Sequence, residues 1–566
     1  MRIGPRFVDC AAPRRCFHAD MLAQYLIGAG VAYVLLKLVR WFLAPKSPLD
    51  NVNGPPVPSW IAGHMLELYD KQLGWNFHHE LRTKYGPVSK LQFLFGKPLL
   101  YVYDPTAMQT IVLKEHRRHE PLFEELPYLM SIGMDTFGPG LLSTVGGTHR
   151  RQRKLLNPIF SPKNLRLATP TFYEVAHRLS KAIKALVVAG DQQVDMAQYM
   201  ARAALELVGQ SVLGQCLDPL TEKGSNPYTE ALKSYIPTFT ALTPFFQFYR
   251  YGRPFIPTAL RRPIMDSLPS RRVKALLRII DTMHSNAVRI FEEKKTLVES
   301  REKADDEEEK GKDLTTLFLK ANVGAPKKDA LTEEELIAQL STLIFAATDT
   351  TSNALTLILE CLVKNPEVQD KLRTELREAK SRHEGGDLPY DELMALPYLD
   401  AVCAETLRVH VPAPMRIREA QVDAVLPLSS PIRGNDGTLM HSIPVPKGTY
   451  VFIAIQAANI NPDLWGADAH VWRPERWLAP LPGTIAEAKI PGVYSNLMTF
   501  WGGGRSCIGF KFAQLEMKVV LAELISTFAF EKTDAPVVWN LGEVVHPTIG
   551  ADSSHPEYPM KVTLVQ

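Results

Sequence analysis

The chain has 566 residues, 46% hydrophobic and 22% charged, the composition of a globular core former and not of a disordered or fibrous protein. Its 64 Lys and Arg exceed its 61 Asp and Glu by only three, so no global field points toward nucleic acid, and neither a zinc-finger spacing nor an RNA-binding signature is present. The six cysteines, Cys10, Cys16, Cys216, Cys361, Cys403 and Cys507, are widely separated except for the first two, which argues against a disulfide framework or a multi-cysteine metal site and for a reducing compartment.

Residues 1–20 read as an N-terminal tail. From Met21 to Leu43 the sequence MLAQYLIGAGVAYVLLKLVRWFL is broken only by Gln24, Lys37 and Arg40, and at about 1.5 Å per residue it is long enough to cross a bilayer. A cleaved signal peptide is the alternative reading, but the apolar run is long for one and gives way to Trp41-Phe42 and prolines instead of a small-residue cleavage site. Basic residues flank both ends, so charge leaves the orientation open; the reducing environment favours a cytosolic body. Residues 44–60, with Pro45, Pro48, Pro55, Pro56 and Pro58, predict a stiff, extended hinge. Residues 61–566 then form the globular body.

Past the hinge, Val88–Phe95 and Pro98–Tyr103 predict two short strands around a Gly96-Lys97 turn. The aromatics from Tyr235 through Tyr249 read either as an access channel or as ordinary core. Long helical patterns dominate, and the densely charged run from Thr296 to Asp313 predicts a solvated helix end and loop. Strands return only in Pro444–Ile453 and in the last thirty or so residues. The fold class is α+β, mainly α.

Thr332-Glu333-Glu334-Glu335 is a capping-box pattern, and it opens a run without Pro or Gly to Val363, a helix of about eight turns. In its middle, Ala346 and Ala347 leave space beside the helix, and the neighbours Asp349 and Thr350 could pass protons. The alternative is a threonine bonded to the carbonyl four residues back. Glu405 and Arg408 sit at i and i+3, where they can pair; alone they would be a surface ion pair.

Cys507 sits in the string Phe500-Trp501-Gly502-Gly503-Gly504-Arg505-Ser506-Cys507-Ile508-Gly509. Glycines let backbone N–H groups approach a sulfur and hold it as thiolate, and a soft thiolate is a strong electron donor to haem iron. The alternative is a buried, inert cysteine after a turn.

This loop, with Phe500, Gly503, Arg505, Cys507 and Gly509 in place, resembles the cysteine loop of cytochromes P450. The central helix with Asp349 and Thr350, the Glu405-x-x-Arg408 helix and the Trp472-Arg473-Pro474-Glu475-Arg476-Trp477 loop follow the family's order along most of the chain. The resemblance implies the family's triangular fold, with a long central helix over haem b and small β-sheets behind an N-terminal transmembrane helix. It implies Cys507 as the iron ligand, and Thr350 with Asp349 as the catalytic proton relay. Arg505, Arg418, Arg153 and His149 become donors to the haem propionates, and Glu405, Arg408 and Arg476 a structural network. The family often has tryptophan at the place of His149 and glycine at that of Ala347. Arg416, Arg150 and Arg151 read as solvated surface charge.

The resemblance makes residues 61–566 the haem-thiolate catalytic domain, with Pro121 to Val145 as a mobile roof, and the reaction implied is insertion of one atom of O2 into a lipophilic small molecule such as a terpenoid, polyketide or foreign compound. Electrons come from NADPH through a separate cytochrome P450 reductase, for which Lys511, Lys518, Arg150, Arg151 and Lys154 offer a docking face. Two other functions stay open: a haem-thiolate isomerase or dehydratase acting on hydroperoxides without a reductase, and a haem carrier without turnover. The expected location is the endoplasmic reticulum membrane, with the catalytic domain in the cytosol.

Overall fold

The structure is a computed structural model that describes residue 28 and residues 47–565, apart from 118–119, 191–192, 221–226, 243–244, 247–248, 250–251 and 305–312. The expected tail, the membrane anchor apart from residue 28, and the first hinge residues therefore lie outside the described residues, with part of the charged run and part of the aromatic segment. Among the described residues no helix is long and apolar enough to cross a membrane.

Five strands, β1 (Val88–Gln92), β2 (Pro98–Val102), β3 (Phe123–Glu125), β4 (Met415–Ala420) and β5 (Tyr450–Ala454), join in one sheet with spatial order β1-β2-β5-β4-β3. β1 and β2 form the predicted antiparallel hairpin, Val88 opposite Val102. β5 runs parallel to β2 and antiparallel to β4, with Val451 opposite Arg418. β3 closes the edge antiparallel to β4, placing Glu125 opposite Arg418. A further strand, β6 (Leu497–Gly502), pairs with Gly492–Tyr494 and leads into the cysteine loop.

Several of these strands lie outside the segments expected from sequence. Met415-Arg416-Ile417-Arg418 alternates apolar and charged residues, the period-two signal of a strand with one face buried, and the buried positions include Met415 and Ile417. The expected strand across Pro444–Ile453 is two elements: one ends at Val445, and a turn with Gly448 at φ 81° precedes β5. Ala424–Arg433 also pairs with Leu439–Val445.

Helices nevertheless make up most of the body: α1 (Pro127–Phe137), α2 (Gly146–Leu156), α3 (Met196–Leu207), α4 (Pro227–Ala241), α5 (Glu333–Lys364), α6 (Pro397–Val409) and α7 (Phe510–Thr527) surround the site. α5 is the predicted central helix. Its capping box is complete, with Thr332 Oγ1 accepting from the Glu335 N–H at 3.3 Å and Glu335 Oε2 accepting from the Thr332 N–H at 2.9 Å. It stops before Pro366, which disfavours helical geometry at Asn365. Leu355, Ile358, Leu359 and Leu362 are fully buried in its second half, each stabilising the fold by roughly 1.5–3 kcal/mol relative to exposure. Packing against α3 and α7 thus fixes the helix whose first half borders the site.

Candidate functional site

The cysteine loop is held from both ends. β6 delivers Phe500, whose carbonyl accepts from the Cys507 N–H at 2.8 Å, and Gly509 starts α7 by accepting from the Ala513 N–H at 2.9 Å. Gly503 has φ 60°, and a Cβ there would lie 2.7 Å from the Val112 carbonyl oxygen, so both backbone angle and space demand glycine. Gly509 has ordinary φ and open space where a Cβ would go; its role lies in its N–H, which bonds the Cys507 sulfur. Arg153 of α2 donates to the Gly504 carbonyl at 3.1 Å and to the Ser506 carbonyl and hydroxyl, tying α2 to the loop.

Cys507, Phe500, Thr350, Ala346 and Leu343 line one cavity. Cys507 is exposed by area, yet burial is the largest influence on its thiol and pushes it up from its ordinary value. The two observations agree once its open surface is taken as cavity wall, with protein close on the other sides. The Gly509 N–H and the charges of Arg153 and Arg416 pull the thiol back toward ionisation.

From α5, the Thr350 hydroxyl donates to the Ala346 carbonyl at 2.8 Å while the residue lines the cavity; the two readings of this threonine are therefore compatible. Asp349 does not line that cavity. It is buried, accepts weakly from the Asn353 amide at 3.4 Å, and its carboxyl is pushed up to about 6 by burial, against the opposing pull of the Lys233 ammonium and Asn353. Lys233 of α4 is itself buried, donates to the Ala197 carbonyl at 3.1 Å, and lines a second cavity with Gln198, Ser234 and His555.

Around the first cavity stand His149, Arg153, Arg416, Arg418 and Arg505. Arg418 is buried, lies over the Trp501 ring at 4.7 Å and pairs with Glu125 at 2.7 Å. Arg505 donates to the Thr144 carbonyl at 2.8 Å and to Glu124 at 3.3 Å. His149 is buried, and burial together with Arg505, Arg153 and Arg150 lowers its imidazole to about 3; it offers a neutral N–H donor or acceptor, not a charge.

Glu405, Arg408 and Arg476 meet away from the cavity. Glu405 also accepts from the Arg473 N–H and the Trp477 indole, both at 2.9 Å. Arg408 reaches the carbonyls of Asn459 and Ala469, so the cluster pins the stretch from Asn459 to Trp477 against α6.

Three cations differ from the sequence expectation. Arg416 was expected as solvated charge but borders the cavity, because β4 puts residues two apart on the same face and Arg418 is already there; recognising the strand would have found it. Arg151 pairs with the buried Glu335 at the start of α5. Lys518 has only 1% of its side chain exposed and pairs with Asp400 at 2.7 Å, so it drops out of the expected docking face. Every residue of α7 from Leu515 to Ile525 is buried, so this stretch of the helix has no solvent face on which Lys518 could lie. Sequence reasoning also missed Trp501, Glu124 and Glu125.

The donor set suits an iron porphyrin: one thiol, an apolar wall that includes Leu343, Ala354 and Ile508, and guanidiniums at the edge for anionic groups.

Residues 53–548 match the family model described as Cytochrome P450. Cytochrome P450 monooxygenase 91 of Postia placenta is 45% identical, over 96% of this chain and 99% of its own length. A Ganoderma lucidum protein named ganoderic acid synthetase CYP5150L8 is also 45% identical, over 94% of this chain and 97% of its own. Cytochrome P450 monooxygenase 81 of Postia placenta is 44% identical, over 96% and 97%.

Proposed function

The chain belongs to the cytochrome P450 monooxygenase family of oxidoreductases, and on that premise we propose that it inserts one oxygen atom of O2 into a lipophilic small molecule, by hydroxylation or epoxidation. The observation that carries this reading is that Cys507 and Thr350 line the same cavity. Haem b, held through Cys507, supplies the activation of O2 and the transfer of oxygen to carbon. Every other part of the site serves to bind, orient or move a proton.

Cys507 is the iron ligand, kept toward thiolate by the Gly509 N–H and the charges of Arg153 and Arg416. Arg418 and Arg505 hold the propionates by charge-assisted hydrogen bonds; His149 adds a neutral donor, and Arg153 steadies the loop. Thr350 holds a proton at Oγ on the cavity wall. Asp349, its carboxyl raised to about 6 by burial, passes protons from the Lys233 side, where the second cavity lies, toward that hydroxyl. Glu405, Arg408 and Arg476 keep the approach to the cysteine loop rigid and are architectural.

The apolar wall of Leu141, Leu142, Leu343 and Ala354 excludes water and favours a substrate with little polarity. A terpenoid or other secondary metabolite fits that wall, and the name of the Ganoderma relative supports the class. Electrons come from NADPH through a separate reductase, docking where the exposed Arg150 and Lys154 lie. Residues 21–43 anchor the enzyme in the endoplasmic reticulum membrane behind the hinge of residues 44–60, with the catalytic domain cytosolic.

The test is a carbon monoxide difference spectrum of the reduced protein, followed by a screen of lipophilic compounds for a substrate-induced spectral shift and product analysis with reductase and NADPH. The expected result is a thiolate-ligated Soret band that Cys507→Ser abolishes, and an oxygenated product that depends on NADPH. A Soret band unchanged in Cys507→Ser, or products formed from hydroperoxides with no need of reductase, would sink the proposal.

A further inference from the structure

Two of the guanidiniums at the edge of the cavity, those of Arg418 and Arg505, are already engaged by acids. Arg418 Nη1 donates to Glu125 Oε2 at 2.7 Å, and Arg505 Nη2 donates to Glu124 Oε1 at 3.3 Å. The two acids are consecutive residues of β3, and the pairing of β3 with β4 sets Glu125 directly opposite Arg418. Glu124 Oε1 is fixed further by the Glu125 N–H at 3.0 Å. Glu125 lines the cavity with Cys507 and Arg418, whereas Glu124 lines a smaller adjoining space with Arg505, His149 and Trp501.

These pairs are only partly open to solvent. The side chains of Glu124 and Glu125 are each 17% exposed, and those of Arg418 and Arg505 are 5% and 17% exposed. At such depth charges interact through a lower effective dielectric than at the surface, and salt screens them less. Partly burying two carboxylates beside a site that receives anionic propionates costs desolvation, and a pair of neutral hydrogen-bond acceptors would orient the arginines without adding negative charge. The negative charge itself is therefore the feature that needs a role.

We propose that Glu124 and Glu125 are positioning residues that hold Arg505 and Arg418 at the haem edge and, through their charge, lower the reduction potential of the bound iron. The proposal rests on the reading of Cys507 as the haem ligand. A guanidinium has five N–H donors, so Arg418 can serve Glu125 and a propionate together. Reduction of the iron adds one negative charge to the site. Each nearby carboxylate opposes that step and each guanidinium favours it, and local charge, hydrogen bonding and burial are the means by which a protein sets such a potential. Replacing Glu125 by Gln removes a negative charge while its amide oxygen still accepts from Arg418.

The test uses the full-length, haem-loaded enzyme without substrate or reductase. Reduction potentials are measured by spectroelectrochemical titration with dithionite and ferricyanide for the wild type, Glu125→Gln, Glu124→Gln, Glu125→Asp and Glu531→Gln. Glu531 is an exposed partner of Lys561 and serves as a control for surface charge. The expected result is a positive shift of the potential in both single Gln variants, with Glu125→Asp and Glu531→Gln at the wild-type value. A purely structural tie between β3 and β4 predicts instead a lower unfolding midpoint with no systematic change in potential. A haem-replete Glu125→Gln enzyme titrating with the wild type overturns the inference, as does an equal shift in Glu125→Asp; should Glu125→Gln fail to retain haem, Glu124→Gln decides by the same criterion. A wild type with no thiolate-ligated pigment overturns the haem reading beneath it.

Discussion

Glu405 holds Arg408 through two hydrogen bonds of 2.7 and 2.8 Å, and neither side chain has any exposure to solvent. Arg476 adds a third contact to the same carboxylate at 3.4 Å. Deleting one member leaves a buried charge without its partner, which costs about 3–5 kcal/mol. Glu405→Gln and Arg408→Ala are expected to lower the denaturant midpoint accordingly and to reduce pigment per mole of protein. Arg408→Lys should fall between, because it keeps the charge and loses the fork. Midpoints equal to the wild type for all three would remove the network's architectural role.

Asp349 makes the stability of the fold depend on pH in a defined direction. Its native carboxyl is raised to about 6 from an ordinary value of 3.8, so between about pH 4 and 6 the unfolded chain has lost a proton that the native chain retains. Native protein then binds more protons, and stability falls as pH rises through this window, levelling above it; the size is about 3 kcal/mol. Asp349→Asn is expected to remove this part of the slope in unfolding midpoints measured across the window. Identical slopes for variant and wild type would contradict the assignment.

Gly503 and Gly504 offer a paired test of the cysteine loop. Alanine at Gly503 meets a φ of 60° and a carbonyl oxygen 2.7 Å from its Cβ, whereas at Gly504 nothing lies within 4 Å. Gly503→Ala is expected to cost about 1–3 kcal/mol and to weaken haem retention, followed by the rate of haem transfer to apomyoglobin. Gly504→Ala should behave like the wild type. Equal haem loss from the two variants would disprove the steric argument.

Thr350 lines the cavity, while its neighbour on the helix Thr348 is fully buried and bonds the Ile344 carbonyl at 2.7 Å. Thr350→Ala is expected to lower product formed per NADPH consumed by about 10²-fold, the lower end of what a positioned proton donor contributes, with the spectral affinity for substrate unchanged. Thr350→Ser should recover most of the coupling. Thr348→Ala should leave coupling near the wild-type value, so a loss as large there would point to general disturbance of α5.

Much of the site was legible because its signals are local. The capping box and the Pro- and Gly-free run that follow each other in α5 need no partner to be recognised, and the same holds for the spacing of glycines before Cys507. Arg416 and Lys518 were misjudged for a common reason: a charged residue carries no mark of which way its element faces. Glu125 was missed because its partner Arg418 is 293 residues away, joined to it only by the pairing of β3 with β4. His149 lines the cavity, but the burial and the three arginines that lower its imidazole are not gathered by sequence spacing.

The amino-acid sequence alone determined the chemistry available: one thiol in a glycine loop, a hydroxyl beside a carboxylate on a long helix, and an acid three residues before an arginine on another. Each is a short-range pattern, set by bonded geometry and helical periodicity. Only the tertiary structure decided which charges share a cavity, which are neutralised by a partner and which titrate near neutrality. Desolvation and Coulomb interaction act across space and take no account of separation along the chain.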